Sequence, residues 1–592
     1  MVLLALVFGA GLAFLAVSLY RVQVVRYAAF ARDQMRQSIR RVQVPGPRGR
    51  IYDRNGVCLA ENRPSYCIAY YVEELRRRGP WSRTIDAVNA DIDRLAVAIG
   101  VPRQLSYTAV SNHIVRSLPI PLLAWRDVDE TTLARWAEAS GDFPGVDVYV
   151  QPERHYPFGA LAAQTLGYVR RDRPAASLGE RYHFHLPEML GANGIEREYN
   201  DLLTGCIGEQ LIRVDARGYK HAVWEGQPAV AGRDLRLTLD VRVQQALEQA
   251  LRGWRGAGVV VDPRNGEILA LASAPAYDLN AMVPAPTTGV WDRLNADEGR
   301  PLINRAVQGR YAPGSTFKPV TAMAALLRKD FDPDATYACD GAFVLGTMRL
   351  RCWNTYGHGN VTLRKAIEQS CNSYFCHLGQ EIGYDAIYAE AWKLGLGRPL
   401  GIDLPSESRG LLPTGEWKER MLRDKWRPGD TCQIAIGQGL LVVTPLQMAM
   451  LVSVFANGGT LRRPHLKLGD GPPETIREMG WPQAELARVR EGMRDVAVFG
   501  TGRRVQVRGL DVAAKTGTAE YDAGGVRRKN TWVTAFAPFD RPTAAVAIVV
   551  ENGESGGQTV APMVRDVLVS LFGESPPDAA ATAADSAEVR GD

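Results

Sequence analysis

Three short polar clusters stand in order along the 592 residues: Ser315-Thr316-Phe317-Lys318, Ser370-Cys371-Asn372 and Lys515-Thr516-Gly517-Thr518. Each alone is a common coincidence. Their order, with Pro313-Gly314 ahead of the first and a strand-like run ahead of the third, points to one site. Pro313-Gly314 breaks the chain before a helix expected over roughly 315–327, and side chains three apart on a helix share a face. Ser315 Oγ and Lys318 Nζ can therefore meet. A serine hydroxyl needs a base to activate it, and a lysine acts as one only when neutral. At a pKa of ~10.4, only about 4 in 10⁴ lysines are neutral near pH 7. Lowering that pKa by about 3 costs ~4 kcal/mol and calls for desolvation or a neighbouring cation, for which Lys515 is the candidate. The chemistry is acyl transfer through a serine ester.

The triple set resembles the signature shared by penicillin-binding proteins and class A β-lactamases, and the resemblance implies the remaining roles. Ser370 relays a proton to the leaving amine, and Asn372 holds Lys318 and the substrate amide. Lys515, Thr516 and Thr518 bind the substrate carboxylate, with Gly517 letting the ligand approach the strand backbone. The backbone N–H groups of Ser315 and Thr518 form the oxyanion hole, where losing one donor costs about 3–4 kcal/mol. A β-lactamase must also hydrolyse its ester quickly, commonly through the Glu of an E-x-x-L-N segment. Between Ser370 and Lys515 the nearest string, Glu419-Arg420-Met421-Leu422-Arg423, lacks the Asn, so slow deacylation is expected.

Over nearly its whole length the chain resembles a class B penicillin-binding protein, a D,D-transpeptidase of peptidoglycan synthesis. Arg48-Gly49-Arg50-Ile51-Tyr52-Asp53-Arg54-Asn55-Gly56 resembles the start of that family's pedestal domain. Gly194-Ile195-Glu196-Arg197-Glu198-Tyr199 and Gly205-Cys206-Ile207-Gly208 resemble its second stretch. Ala435-Ile436-Gly437-Gln438-Gly439 with Thr444-Pro445 resembles a third, inside the transpeptidase domain. The region before 235 shows no likeness to a glycosyltransferase domain, which argues against class A. Within class B the likeness is to the elongation-specific type. This implies peptidoglycan stem peptides as substrates, β-lactams as inhibitors, and a RodA-type glycosyltransferase among membrane partners of the elongation complex. A septal class B enzyme shares all three motifs and remains the first alternative; a largely non-catalytic β-lactam-binding scaffold is the second.

Cys339, Cys352, His358 and Cys371 follow the pattern C-x12-C-x5-H-x12-C, three thiols and an imidazole, a permitted tetrahedral Zn²⁺ set. Reduced core cysteines or a disulfide are the other readings. The arrangement resembles that of elongation-type relatives, in which zinc is bound at Asp, Asp, His and Cys positions; here cysteines stand for the carboxylates, with Asp340 a competitor to Cys339. A metal there would pin the loop that presents Ser370 and Asn372. Cys376 and His377 read as core.

These residues have to be positioned by a folded chain, and the composition is that of one: 46% apolar and 23% charged. A net charge of +5 from 70 basic and 65 acidic residues is far below the density of a nucleic-acid binder, and the twelve Trp form no stacking stripe. Residues 1–20 carry no charged side chain and reach about 30 Å as a helix, enough to span a bilayer, so an uncleaved anchor is expected. Arginines follow this helix and no charge precedes it, so a positive-inside count would place the bulk of the chain in the cytoplasm. The chemistry places the catalytic domain in the periplasm, single-pass in a bacterial inner membrane, and takes precedence.

The expected order is an anchor (1–20), a juxtamembrane linker (21–44), an elongated mixed α/β pedestal of the dimerisation type (45–234), a transpeptidase domain (235–574) and a disordered tail (575–592). The class is α+β. In the transpeptidase domain, strands near 258–262, 268–272, 511–518, 531–537 and 544–551 flank a helical insertion. Chain start and chain end thus close one antiparallel sheet, with helices on both sides and a helical subdomain. A helix capped by Asp240 opens the domain and one over about 558–572 ends it.

Overall fold

The computed structural model describes residues 1–27, 39–118, 120–172, 183–214, 220–469, 471–523 and 525–573; the expected tail at 575–592 lies outside them. The N-terminal helix Val2–Tyr20 does not stop at its last apolar residue but continues as Arg21–Val25, giving a 24-residue span long and apolar enough to cross a membrane. The expected linker also ends early, because Ile39–Val44 is already a strand. It pairs antiparallel with Gly208–Val214 and parallel with His183–His185. Val42 and Val44 alternate with the polar Arg41 and Gln43, which suits a strand half in and half out of the core, and Val42 is buried.

The pedestal's second sheet is built on the long strand Cys58–Tyr70, which pairs with Val146–His155 from Glu61↔His155 to Tyr70↔Val146. Helix Trp81–Ile99 covers it, burying Val88, Ile92, Leu95 and Ile99 at helical spacing, and stops at Gly100, whose φ of 71° is the left-handed cap that glycine adopts without strain. The two stretches singled out by motif meet here. Glu196 Oε2 accepts from Arg48 Nε and Glu196 Oε1 from Arg154 Nε, both at 2.6 Å, with all three side chains buried. Burial alone would raise the Glu196 pKa; the two guanidiniums outweigh it and hold the carboxyl below its usual range. The pedestal then grips the next domain: Asp53 accepts from Val241 N at 3.2 Å, and Arg54 pairs with Glu267.

The transpeptidase sheet runs Ile268–Ala274, Gly256–Val261, Ala544–Glu551, Val526–Ala537, Ala513–Ala523, all antiparallel. Its faces alternate as the pleat requires: Val259 and Val261 enter one core, Val260 the other. Helices Val241–Ala250, capped by Asp240, and Ala561–Phe572 cover the second face. The helical subdomain covers the first, centred on Pro445–Ala456, which is buried at every position and capped by Thr444 and Gln447. The Ala513–Ala523/Val526–Ala537 hairpin projects beyond the expected strands. Its outer rungs, such as Glu520↔Lys529 and Tyr521↔Arg528, carry polar residues that hide a strand from an apolar-pattern reading.

Glu196→Gln should keep the packing but leave two buried guanidiniums uncompensated, destabilising the chain by roughly 3–5 kcal/mol. Unfolding of purified protein measures this; a loss under ~1 kcal/mol would show that the cluster is not what holds the pedestal together.

Candidate active site

Ser315 does not begin a regular α-helix. Gly314–Phe317 winds as a 3₁₀ turn, and the α-helix proper is Lys318–Leu326, with Pro319 in its first turn. Three residues per turn still put Ser315 and Lys318 on one side. The turn is wedged in place from three directions. Gly314 N donates to Gly437 O at 2.7 Å, Trp532 Nε1 to Ala312 O at 3.0 Å, and Tyr311 OH to Glu551 Oε1 at 3.0 Å. A Cβ on Gly517 would lie 2.9 Å from Pro313 O and 3.0 Å from Thr316 Cγ2. Gly517 therefore makes room for the Ser315 turn against the strand, and it also lines the cleft. Ser315 N–H lies in the first turn of the helical segment, where no intrahelical acceptor reaches it, and Thr518 stands opposite on the Ala513–Ala523 strand.

Lys318 is wholly buried. Its Nζ donates to Ser370 O at 2.7 Å, Asn372 Oδ1 at 2.7 Å and Ser370 Oγ at 3.3 Å. Ser315 Oγ is not among these partners, so the direct contact expected from i,i+3 spacing is not formed here; such bonds commonly tighten only with substrate in place. Lys515, equally buried, donates from Nζ to Ser370 Oγ at 2.9 Å and to Thr516 O at 3.1 Å. One hydroxyl thus sits between two amines. Burial pulls Lys318 down to about 8. Burial first, and the charge of Lys318 second, pull Lys515 well below its ordinary value. Of the two causes left open by the sequence, desolvation or a neighbouring cation, desolvation leads for both lysines, and the charge of Lys515 is not among the causes acting on Lys318.

Ser370 is itself in the left-handed region, with φ 54°, a conformation a non-glycine residue holds only when its surroundings impose it. It sits between helix Leu363–Glu368 and helix Asn372–Ile382, whose N-cap is Cys371; Cys371 Sγ accepts from Tyr374 N at 3.4 Å. Ser315, Ser370, Asn372, Thr516, Gly517 and Thr518 line one cleft of about 690 Å³. The three motifs therefore converge. Sequence reasoning missed Thr501, whose Oγ1 lies 2.5 Å from Thr516 Oγ1 and fixes that hydroxyl. No local pattern around Thr501 marks it.

The cysteine quartet converges too. Cys339, Cys352, His358 and Cys371 place their ligand atoms within 4.8 Å of one another, and the three thiols are buried. His358 Nδ1 is 3.6 Å from Cys339 Sγ and 3.5 Å from Cys352 Sγ. A tetrahedron with Zn–S ≈ 2.3 Å and Zn–N ≈ 2.0–2.1 Å has an S···N edge of about 3.6 Å, so this donor set fits zinc. Hydrogen bonding from Cys371 pulls Cys352 toward thiolate. Asp340 is exposed and outside the group. Cys376 is fully buried against Cys432, as a core residue should be, whereas His377 is half exposed and stacks on Tyr337.

The family model described as the penicillin binding protein transpeptidase domain matches residues 256–569, and the penicillin-binding protein dimerisation domain matches residues 43–237. The chain is thus a penicillin-binding transpeptidase in class. Peptidoglycan D,D-transpeptidase MrdA of Acinetobacter baumannii is 34% identical over 570 residues, 90% of this chain and 82% of that protein. The penicillin-binding protein PBP2 in complex with MreC from Helicobacter pylori is similar at 28% identity and TM-score 0.77, covering 90% of this chain and 99% of that one. A chain from a peptidoglycan synthase complex that coordinates polymerization and crosslinking is similar at 29% identity and TM-score 0.73, covering 97% and 99%. The chain belongs to the class B penicillin-binding proteins of the MrdA, or PBP2, type, which are peptidoglycan D,D-transpeptidases.

Because Lys318 is pulled down to about 8, its neutral fraction grows as pH rises through that value. The rate constant for acylation by a penicillin should climb about tenfold per pH unit below 8 and level off above it. Stopped-flow measurement from pH 5.5 to 9.5 checks this; a rate that keeps rising to pH 9.5 would place the base at the ordinary lysine value.

Proposed function

We propose that Ser315 is the acylated nucleophile. Neutral Lys318 takes the Ser315 proton as the hydroxyl attacks the carbonyl of a stem peptide's penultimate D-residue. The developing oxyanion meets the N–H groups of Ser315 and Thr518. Ser370, its oxygen held by Lys515, passes a proton to the departing amine, and Asn372 holds both Lys318 and the substrate amide. Lys515, Thr516 and Thr518 take the terminal carboxylate. A second peptide amine then attacks the ester and restores the hydroxyl. The observation that carries this reading is the Ser370 hydroxyl placed 3.3 Å from one buried amine and 2.9 Å from another, a ready path for a proton across the site. Fluorescent penicillin should label wild type, with the adduct mapping to Ser315, and should not label Ser315→Ala. Ser370→Ala should acylate roughly 10²–10⁴-fold more slowly. An adduct elsewhere, or undiminished labelling of Ser315→Ala, would overturn the assignment.

The site of action in this reading is the periplasmic face of the bacterial inner membrane, with Val2–Val25 as a single anchor. The role is lateral-wall synthesis beside a RodA-type glycosyltransferase and other elongation-complex proteins. The likeness to a PBP2 bound to MreC and to a chain of a peptidoglycan synthase complex supports it. Depletion should round the cells, whereas filamentation would assign the enzyme to division.

Zinc, held by Cys339, Cys352, His358 and Cys371, supplies structural cross-linking. Cys371 is both a ligand in this set and the N-cap of the helix that begins at Asn372, so fixing its sulfur fixes the loop between Ser370 and Asn372. Purified protein should contain about one zinc per chain. Cys352→Ala should lose it, melt at lower temperature and acylate penicillin more slowly; unchanged melting and acylation would refute a structural metal.

A further inference from the structure

The catalytic steps use the lysines, hydroxyls and amide of the cleft but not its remaining charges, and those are one-sided. Among the described residues lining the cleft, Glu368 is the sole carboxylate, and Lys365 Nζ neutralises it at 2.7 and 2.9 Å. Arg503 and Arg504 line the same cleft and are exposed, and no described carboxylate lies within ion-pair distance of either. Their backbone is a fixed platform. It is a 3₁₀ turn, Arg503–Val505, with Val505 fully buried and Gly502 N donating to Val496 O at 2.9 Å. A Cβ on Gly500 would lie 2.3 Å from Glu368 O, and one on Gly502 3.0 Å from Val496 Cγ1. The segment is therefore packed directly on the helix that leads to Ser370. At Thr501 it is tied to Thr516, the hydroxyl assigned to the terminal carboxylate.

Two adjacent guanidiniums without counter-charge, held in a concave site with low-dielectric walls, attract anions and repel cations. A guanidinium matches a carboxylate through paired N–H donors. The terminal carboxylate already has Lys515, Thr516 and Thr518. We propose that Arg503 and Arg504 form a second anion subsite, which binds a carboxylate that the peptide substrate carries in addition to its C-terminal one. The inference rests on the transpeptidase mechanism given above and specifies its substrate: an acidic peptide, not a neutral one. The extra carboxylate can belong to the donor strand, on the residue before the two terminal D-residues, or to the acceptor, beside the attacking amine.

Carboxylate-to-carboxamide pairs distinguish these sources in the full-length chain. In the donor arm, two peptides ending in D-Ala-D-Ala carry either a side-chain carboxylate or its amide at the preceding residue, and acyl-enzyme formation is timed. In the acceptor arm, one donor is used with D-alanine or D-alaninamide, and transfer product is measured. Wild type should prefer the carboxylate about 10-fold or more in one arm, and Arg503→Ala/Arg504→Ala should bring that preference close to unity, with Arg503→Lys/Arg504→Lys recovering part of it. Equal preference in wild type and the double alanine variant in both arms would overturn the subsite. Benzylpenicillin acylation separates the two levels of the account: no acylation of wild type would sink the transpeptidase mechanism, whereas normal acylation with unmoved peptide preferences sinks only the subsite. If the double variant does not acylate, Arg503→Gln and Arg504→Gln are read singly by the same ratios.

Discussion

Two lysine amines shut away from water around a single serine hydroxyl set the terms for this molecule. A buried ammonium is costly, and two within reach of one oxygen are costlier still, so the folded state favours losing a proton from the pair. In the proposed mechanism that cost is the source of the reactivity. A base competent near neutral pH follows, in that mechanism, from the sheet edge and the helical subdomain excluding solvent from Lys318 and Lys515 together. Asn372 Oδ1 and the Ser370 carbonyl offset part of the penalty and aim Lys318 Nζ, while Thr516 O does the same for Lys515.

Holding that geometry demands long-range support, which explains much of the remaining architecture. The Ser315 turn is clamped between Gly437 and the Gly517 strand, and Glu551, at the end of the central strand Ala544–Glu551, anchors Tyr311 together with Arg255 and Arg305. Ser370 occupies a left-handed backbone position, an arrangement kept by helices on either side of it. The cysteine quartet lies on one of those helix ends. The cleft is thus framed by three supports of different kinds: a sheet edge, a buried helix pair and a thiol-imidazole cluster.

The residues proposed to react, which the structure brings together, were legible in sequence because the chemistry needs particular side chains in short local strings, and so were the four metal-ligand candidates, whose types are scarce. The five strands of the central sheet and the helix capped by Asp240 were likewise readable from apolar runs and a cap. Other features depend on residues far apart. Arg48 and Glu196 are separated by 148 positions, and Thr501 meets Thr516 through space with no pattern to announce it. The 3₁₀ start at Ser315 and the polar hairpin tip at 520–529 escaped because periodicity reports burial, and neither segment follows the regular pattern. The choice between desolvation and a neighbouring cation for Lys318 stayed open in sequence for a related reason: a neighbouring charge can be inferred from motifs, whereas the depth of burial needs the fold.

The most direct test is to watch the two amines themselves. With lysine labelled at Cε by ¹³C, and Lys318 and Lys515 assigned from single Lys→Arg variants, the NMR titration should show Lys318 losing its proton near pH 8 and Lys515 below its ordinary value. If both signals titrate above pH 10, like lysines in water, the amines are not desolvated, and the account of how Ser315 is activated is wrong.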